Sequence, residues 1–97
     1  MKPPIYLDYN GTTPIAPEVA LAMRIFMDTE FGNPSSSHWY GIAPKRAVQK
    51  ARKQVADLLG ALPETILFTS GGTESNNHVI TGVVRNLRKK GNHIITS

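Results

Sequence analysis

Cysteine is absent from the 97 residues, so neither a disulfide framework nor a thiolate metal site can be built from them. Long apolar runs are missing too. Nothing approaches the ~20 residues that cross a bilayer, and Met1-Lys2-Pro3-Pro4-Ile5 lacks the continuous apolar core of a secretory signal. A cytoplasmic location is the resulting expectation, and the glycosylation-like Asn10-Gly11-Thr12 is then a chance match. Acidic residues are few, seven against eleven basic ones, for a net charge of +4. Repeats and low-complexity tracts are also lacking.

A basic excess raises the question of nucleic acid. The cations fall mainly in two groups, Lys45 to Lys53 and Arg85 to Lys90. The second lies at the expected C-terminus of a helix, where positive charge complements the dipole. The first is spread along the polar face of another helix. Neither group is interleaved with aromatic side chains that would stack on bases, so a solvated surface is the better reading and no nucleic-acid partner is expected.

What is present suits a globular protein, with 40% hydrophobic residues. A self-contained domain of this size would bury roughly 60–70% of its unfolded surface. Ile5 to Asp8 followed by Tyr9-Asn10-Gly11-Thr12-Thr13-Pro14 reads as an extended arm with an Asn-Gly turn, because no second alternating strand follows. Pro17 suits the first position of a helix. Val19, Ala22, Met23, Phe26 and Met27 then form one apolar face, predicting a helix to about Thr29 with both methionines packed in a core. Gly32-Asn33-Pro34 ends it.

Residues 32–41 form a polar loop holding the single tryptophan, and the Trp39-Tyr40 pair predicts that this loop docks on something. His38 stands beside serine hydroxyls, but adjacency in sequence does not make a nucleophile–base geometry, and it reads as a loop histidine. From about Ala43 to Leu59 a second helix is predicted. Its stripe is Ala47, Val48, Ala51, Val55, Leu58 and Leu59, with Pro44 in the first turn and Gly60 as the stop.

The most informative stretch is Thr65-Ile66-Leu67-Phe68-Thr69-Ser70-Gly71-Gly72-Thr73-Glu74-Ser75-Asn76-Asn77. It reads as a buried strand of the parallel-sheet type over Thr65 to Thr69, a glycine turn, and a helix from about Thr73 to Lys89. His93 to Ser97 begins another strand. A strand entering a helix through glycines aims unpaired N–H groups at one spot, and the helix dipole adds positive charge there. The junction is therefore suited to a phosphate. Two parallel strands do not make a stable sheet, so the segment is expected to be part of a larger α/β fold.

Phe68 to Asn77 closely resembles the phosphate-binding segment of the cysteine desulfurase and selenocysteine lyase family, within the class-V aminotransferase superfamily. Tyr6 to Pro14 is similar to that family's N-terminal signature, with Gly11 where alanine is usual. Gly32-Asn33-Pro34-Ser35-Ser36-Ser37-His38 and His93-Ile94-Ile95-Thr96-Ser97 match further signatures in the same order. The resemblance covers essentially the whole chain.

That resemblance implies the N-terminal part of a type I PLP-dependent transferase fold: extended arm, helices and the start of a mainly parallel sheet, incomplete as a domain. Residues 1–62 would be the arm and small-domain helices, and 63–97 the strand–helix–strand opening of the large domain. It implies pyridoxal 5'-phosphate (PLP) as cofactor, its phosphate held by Gly72 and Thr73 through backbone N–H groups and the threonine hydroxyl, with Asn10 and Gly11 near the active site. The implied activity is removal of sulfur from L-cysteine, leaving L-alanine and an enzyme-bound persulfide. A homodimer is implied, with sulfur-acceptor or scaffold proteins as possible partners. The family's Schiff-base lysine, pyridinium-pairing aspartate, stacking histidine and sulfur-accepting cysteine have no counterpart in these residues, so no catalytic residue is expected here. A selenocysteine lyase, or a non-catalytic module that dimerises or binds a phosphate ester, are the alternatives.

Overall fold

The computed structural model describes residues 2–96. An arm over residues 2–16 leads into helix α1, Pro17–Asp28; helix α2 covers Ile42–Leu59 and helix α3 Gly72–Leu87. Short 3-10 turns at Trp39–Gly41 and Pro63–Thr65 flank α2 on either side and pack against it. No described helix is long and apolar enough to cross a membrane.

The helices follow their sequence signals. Pro17 opens α1, with Glu18 in its first turn; the preset proline φ and the acidic side chain both suit the positive end. Pro44 falls in the first turn of α2 and is buried. Gly60 closes α2 in the left-handed region at φ 63°, ψ 31°, and the N–H of Ala61 returns to the Ala56 carbonyl at 2.9 Å. Only glycine takes that conformation without a Cβ penalty. Exposed i,i+4 ion pairs, Arg24–Asp28 and Lys53–Asp57, add the ~0.3–0.5 kcal/mol typical of such pairs.

The core is small. Ala56 is the one fully buried apolar residue among those described, and it lies on α2. The accessible surface is 9317 Å², against roughly 5,500 Å² for a folded monomer of this mass. The radius of gyration is 18.7 Å, where about 13 Å is usual at this length. The apolar faces of α1 and α3 are therefore open. Met23 and Met27, expected in a core, are 48% and 66% exposed, because no described element covers them. Leu58 and Leu59, assigned to the stripe of α2, are exposed at its end.

Two further expectations are corrected. The strands predicted at Thr65–Thr69 and His93–Ser97 do not form a ladder among the described residues, and Ser97 lies outside them. Ile66 keeps strand-like dihedrals (φ −88°, ψ 121°). A strand, however, is defined by its neighbour, and these two segments do not pair with one another. Thr65 itself ends a 3-10 turn, its N–H donating to the Leu62 carbonyl at 3.0 Å and its hydroxyl to the same oxygen at 2.7 Å; Pro63 presets the first φ of that turn. Trp39, predicted to dock, is 80% exposed, again because nothing described lies over it.

The loop between α1 and α2 is nonetheless tightly made. Asn33 accepts from the Ser35 N–H through its side chain at 2.8 Å and from the Ser36 N–H through its carbonyl at 3.0 Å. Phe31 stacks on Tyr40, ring centroids 6.1 Å apart. Gly32 and Gly41 are required by space: a Cβ at Gly32 would overlap the Tyr40 carbonyl, and one at Gly41 would overlap that of Ser36.

Candidate functional site

The junction 65–77 is held from both sides. On the α2 side, Arg52 donates through Nε to the Ile66 carbonyl at 3.2 Å, and its guanidinium lies 5.2 Å from the centroid of Phe68. By sequence alone Arg52 reads as one of the solvated cations of α2. Here it clasps the segment that delivers the glycine turn. The signal was available in principle: arginine at position 52 lies one residue from Ala51, at the edge of the apolar stripe rather than opposite it.

At the turn, the Ser70 N–H donates to Glu74 Oε2 at 2.7 Å and the Ser70 hydroxyl to the same atom at 2.6 Å. The Glu74 carboxylate, in the first turn of α3, thus reaches back past the N-cap Gly71 to the residue before it, one position further out than in a capping box. The two bonds hold the Glu74 carboxyl below its usual 4.5; the Ser70 hydroxyl contributes most, then the Ser70 N–H, with nearby His78 adding a smaller effect. Thr69 and Ser75 hydroxyls meet at 2.6 Å, and Thr69 also donates to the Gly71 carbonyl at 3.3 Å. The first backbone bond of α3 runs from the Ser75 N–H to that carbonyl at 3.1 Å.

Those bonds engage Thr69, Ser70, Glu74 and Ser75, and leave a defined set of donors free. Among the described residues, the backbone N–H groups of Gly72, Thr73 and Glu74 have no protein acceptor, and the Thr73 hydroxyl makes no hydrogen bond. Ideal Cβ atoms built on Gly71 and Gly72 meet nothing within 4 Å, so the approach to these donors is open. Free N–H groups at the positive end of a 16-residue helix attract an anion. The two predicted site residues, Gly72 and Thr73, are thus adjacent and exposed, with their N–H groups and the Thr73 hydroxyl unengaged.

The other predicted region is self-contained. In the arm, the Tyr6 hydroxyl lies 2.8 Å from the Asp8 carbonyl and 3.1 Å from that of Thr12. The Gly11 N–H donates to the Asp8 carbonyl at 3.0 Å, and Tyr6 and Tyr9 meet edge to face. Asn10 and Gly11 therefore ride on a tyrosine-braced turn. A Cβ on Gly11 would approach Asp8 Oδ2 at 2.6 Å, a flexible side-chain atom that can move aside. His38 meets the Tyr40 ring edge-on and makes no hydrogen bond to a serine hydroxyl among the described residues. Among the described residues, no histidine and carboxylate cluster suits a metal ion.

Taken together, an open helical arrangement around a glycine turn is a segment of an α/β protein rather than a complete domain, and comparison with solved structures agrees. A NifS-like protein superposes with a TM-score of 0.82 at 39% identity, over 88% of this chain and 23% of the neighbour. The chain belongs to the Aminotransferase class-V family, whose profile matches residues 5–97. Curated relatives include the cysteine desulfurase IscS of Dictyoglomus turgidum, 52% identical over 97 residues. Those of Cronobacter sakazakii and Escherichia coli O139:H28 are 57% and 56% identical over 100 residues. Each match takes in the whole chain and 25% of the relative, so the chain spans about a quarter of their length. The fold is accordingly the N-terminal part of the PLP-dependent transferase architecture, and PLP dependence is general in the family.

Proposed function

We propose that this chain supplies the N-terminal part of a cysteine desulfurase, an enzyme that takes sulfur from L-cysteine to leave L-alanine and a persulfide on a cysteine side chain. The observation that carries this reading is the set of unengaged donors at Gly72 and Thr73, in a chain that matches the class-V profile almost end to end. The printed names of the relatives favour cysteine over selenocysteine as substrate.

Within this reading, Gly72 and Thr73 hold the phosphate of pyridoxal 5'-phosphate through their N–H groups and the Thr73 hydroxyl. The residues fit that group: the donors are free, the glycines leave room, and the helix dipole favours the dianion. When bound, PLP supplies an electron sink for the substrate carbanion. The part played by this chain is to grip and orient the phosphate end, while the tyrosine-braced turn at Asn10 and Gly11 lies toward the same pocket. Persulfide formation needs a thiol, and these 97 residues contain none. The chain is therefore inactive alone, and the reacting lysine and cysteine come from the rest of an assembled enzyme.

Residues 1–62 form the arm and small-domain helices in this proposal, and 63–97 open the large domain. The intact enzyme is a cytoplasmic homodimer that passes sulfur to acceptor or scaffold proteins. The test is Thr73→Val in the assembled enzyme. Losing one hydroxyl bond to a charged group costs ~1.5–3 kcal/mol, so PLP affinity measured by equilibrium dialysis falls by at least tenfold. Unchanged affinity would make Thr73 a structural residue only. Alanine formed from cysteine by the isolated chain with PLP would refute its inactivity.

A further inference from the structure

Gly71 and Gly72 stand side by side in the turn, and glycine pairs lose more backbone freedom on ordering than any other pair. Yet the turn is bridged twice. Ser70 is tied to Glu74 through its N–H and hydroxyl at 2.7 and 2.6 Å, and Thr69 to Ser75 at 2.6 Å. The two residues before the glycines are thus fastened to the two after Thr73. Thr69 also reaches the Gly71 carbonyl at 3.3 Å, and either hydroxyl can donate the proton between Thr69 and Ser75. Every donor in the double bridge points within the turn, and the N–H groups of Gly72, Thr73 and Glu74 remain outside it.

A carboxylate this close to an anion site has a second consequence. Left free, Glu74 would compete for the same helix N–H groups and would repel a phosphate. Bound to Ser70, its Oε2 keeps its charge but is engaged by two donors outside that set of N–H groups. We propose that Glu74, through Ser70, and Ser75, through Thr69, are positioning residues that pre-order the Gly71-Gly72 turn for a phosphate group they do not touch. This rests on the reading of Gly72 and Thr73 as a phosphate cradle. It carries a consequence opposite in sign to simple electrostatics. If Glu74 acted only as a nearby like charge, neutralising it would strengthen phosphate binding; as a bridge, its loss weakens it.

The experiment titrates the ¹⁵N-labelled full 97-residue chain with inorganic phosphate, following the amides of Gly72 and Thr73. Ser70→Ala breaks one bridge bond with all charges kept. Glu74→Asp keeps the charge and loses the reach. Both weaken binding by about three- to tenfold, the scale of moving part of one residue's ordering into the binding step. Glu74→Gln, whose neutral oxygen still accepts from Ser70, falls between, and Ser70→Thr restores the affinity. Equal binding by Ser70→Ala and Glu74→Asp, or tighter binding by Glu74→Gln, overturns the positioning role while leaving the cradle standing. Absence of any saturable shift in the unmodified chain overturns the cradle. The bridges are then judged by the heteronuclear NOE of the Gly71 and Gly72 amides, and unchanged order in Ser70→Ala and Glu74→Asp overturns them as well.

Discussion

Arg52 provides the sharpest test of how the junction is held. Replacing it with methionine keeps an apolar stem of similar length along α2 and removes the guanidinium. Two interactions disappear. The bond from Nε to the Ile66 carbonyl, 3.2 Å and part-buried, is charge-assisted but partly solvated, so about 1–1.5 kcal/mol is reasonable, at the low end for such bonds. The cation over Phe68, at 5.2 Å from a ring that is 44% exposed, adds about 0.5–1 kcal/mol. Together they favour the closed segment by roughly 1.5–2.5 kcal/mol, or about 10- to 70-fold in the closed-to-open ratio. The readout is hydrogen exchange at the Thr65 and Ile66 amides, which bond the Leu62 and Pro63 carbonyls at 3.0 and 3.2 Å. Exchange there quickens by that factor in Arg52→Met. Arg52→Lys gives a smaller effect, since an ammonium lacks the planar fork. Combining Arg52→Met with Phe68→Leu separates the ring term, because the double variant then loses less than the sum of the two singles. Unchanged exchange at Ile66 in Arg52→Met would show that the latch contributes nothing.

Two other outcomes are expected. Glu74 has a carboxyl pKa lowered from 4.5 by the Ser70 bonds; a depressed folded value means that its contribution is complete above 4.5 and is lost as pH falls through the lowered value. The Ser70 amide proton shift therefore titrates with a midpoint below 4.5, and a midpoint at or above 4.5 counts against the bridge. Gly41→Ala, whose Cβ would meet the Asn33 carbonyl at 2.9 Å and overlap that of Ser36, forces backbone to move at a cost of about 1–3 kcal/mol. The contact between the Phe31 and Tyr40 rings disappears from the NOE spectrum, whereas its survival would show that the loop absorbs a methyl freely.

How far the sequence foretold these features depends on whether the cause of each is local. The ends of α2 were legible because a proline in the first turn and a glycine at the C′ position act within a few residues. The free donors at the start of α3 were legible because a glycine turn entering a helix leaves N–H groups without partners, whereas the choice of Gly72 and Thr73 among them came from the family resemblance. The strand at Thr65–Thr69 was not, since its apolar residues give only the propensity and pairing comes from neighbours far along a chain. The same holds for Met23, Met27 and Trp39, whose apolar character predicts burial without saying against what. Arg52 was missed for a different reason. A cation on a helix carrying several lysines reads as solvated, and only the fold shows that one of them faces a backbone carbonyl and a ring.

The three helices also differ in what keeps them helical. Isolated helices shorter than about 12–15 residues are marginal in water, because nucleation is costly and most stability comes from packing. α2 has 18 residues, a left-handed glycine cap, buried Pro44 and Ala56, and a 3-10 turn packed at each end. α1 has 12 residues, no side-chain cap and no buried residue. α3 is intermediate: 16 residues with none buried, but with the Glu74 carboxylate fastened to Ser70 across its start. Hydrogen exchange on the 97-residue chain should therefore rank protection as α2, then α3, then α1, with α1 amides near their unprotected rates. Equal protection of α1 and α2 would refute this, since it requires a shared core that Val19, Met23 and Phe26, at 39–48% exposure, do not supply. The TM-score of 0.82 to a protein of which the matched part is only 23% gives the ranking its meaning. The apolar face of α1 lacks a partner among the described residues, and the matched neighbour is a longer chain than this one. Raising the protection of α1 should need the rest of the class-V fold, not a better helix.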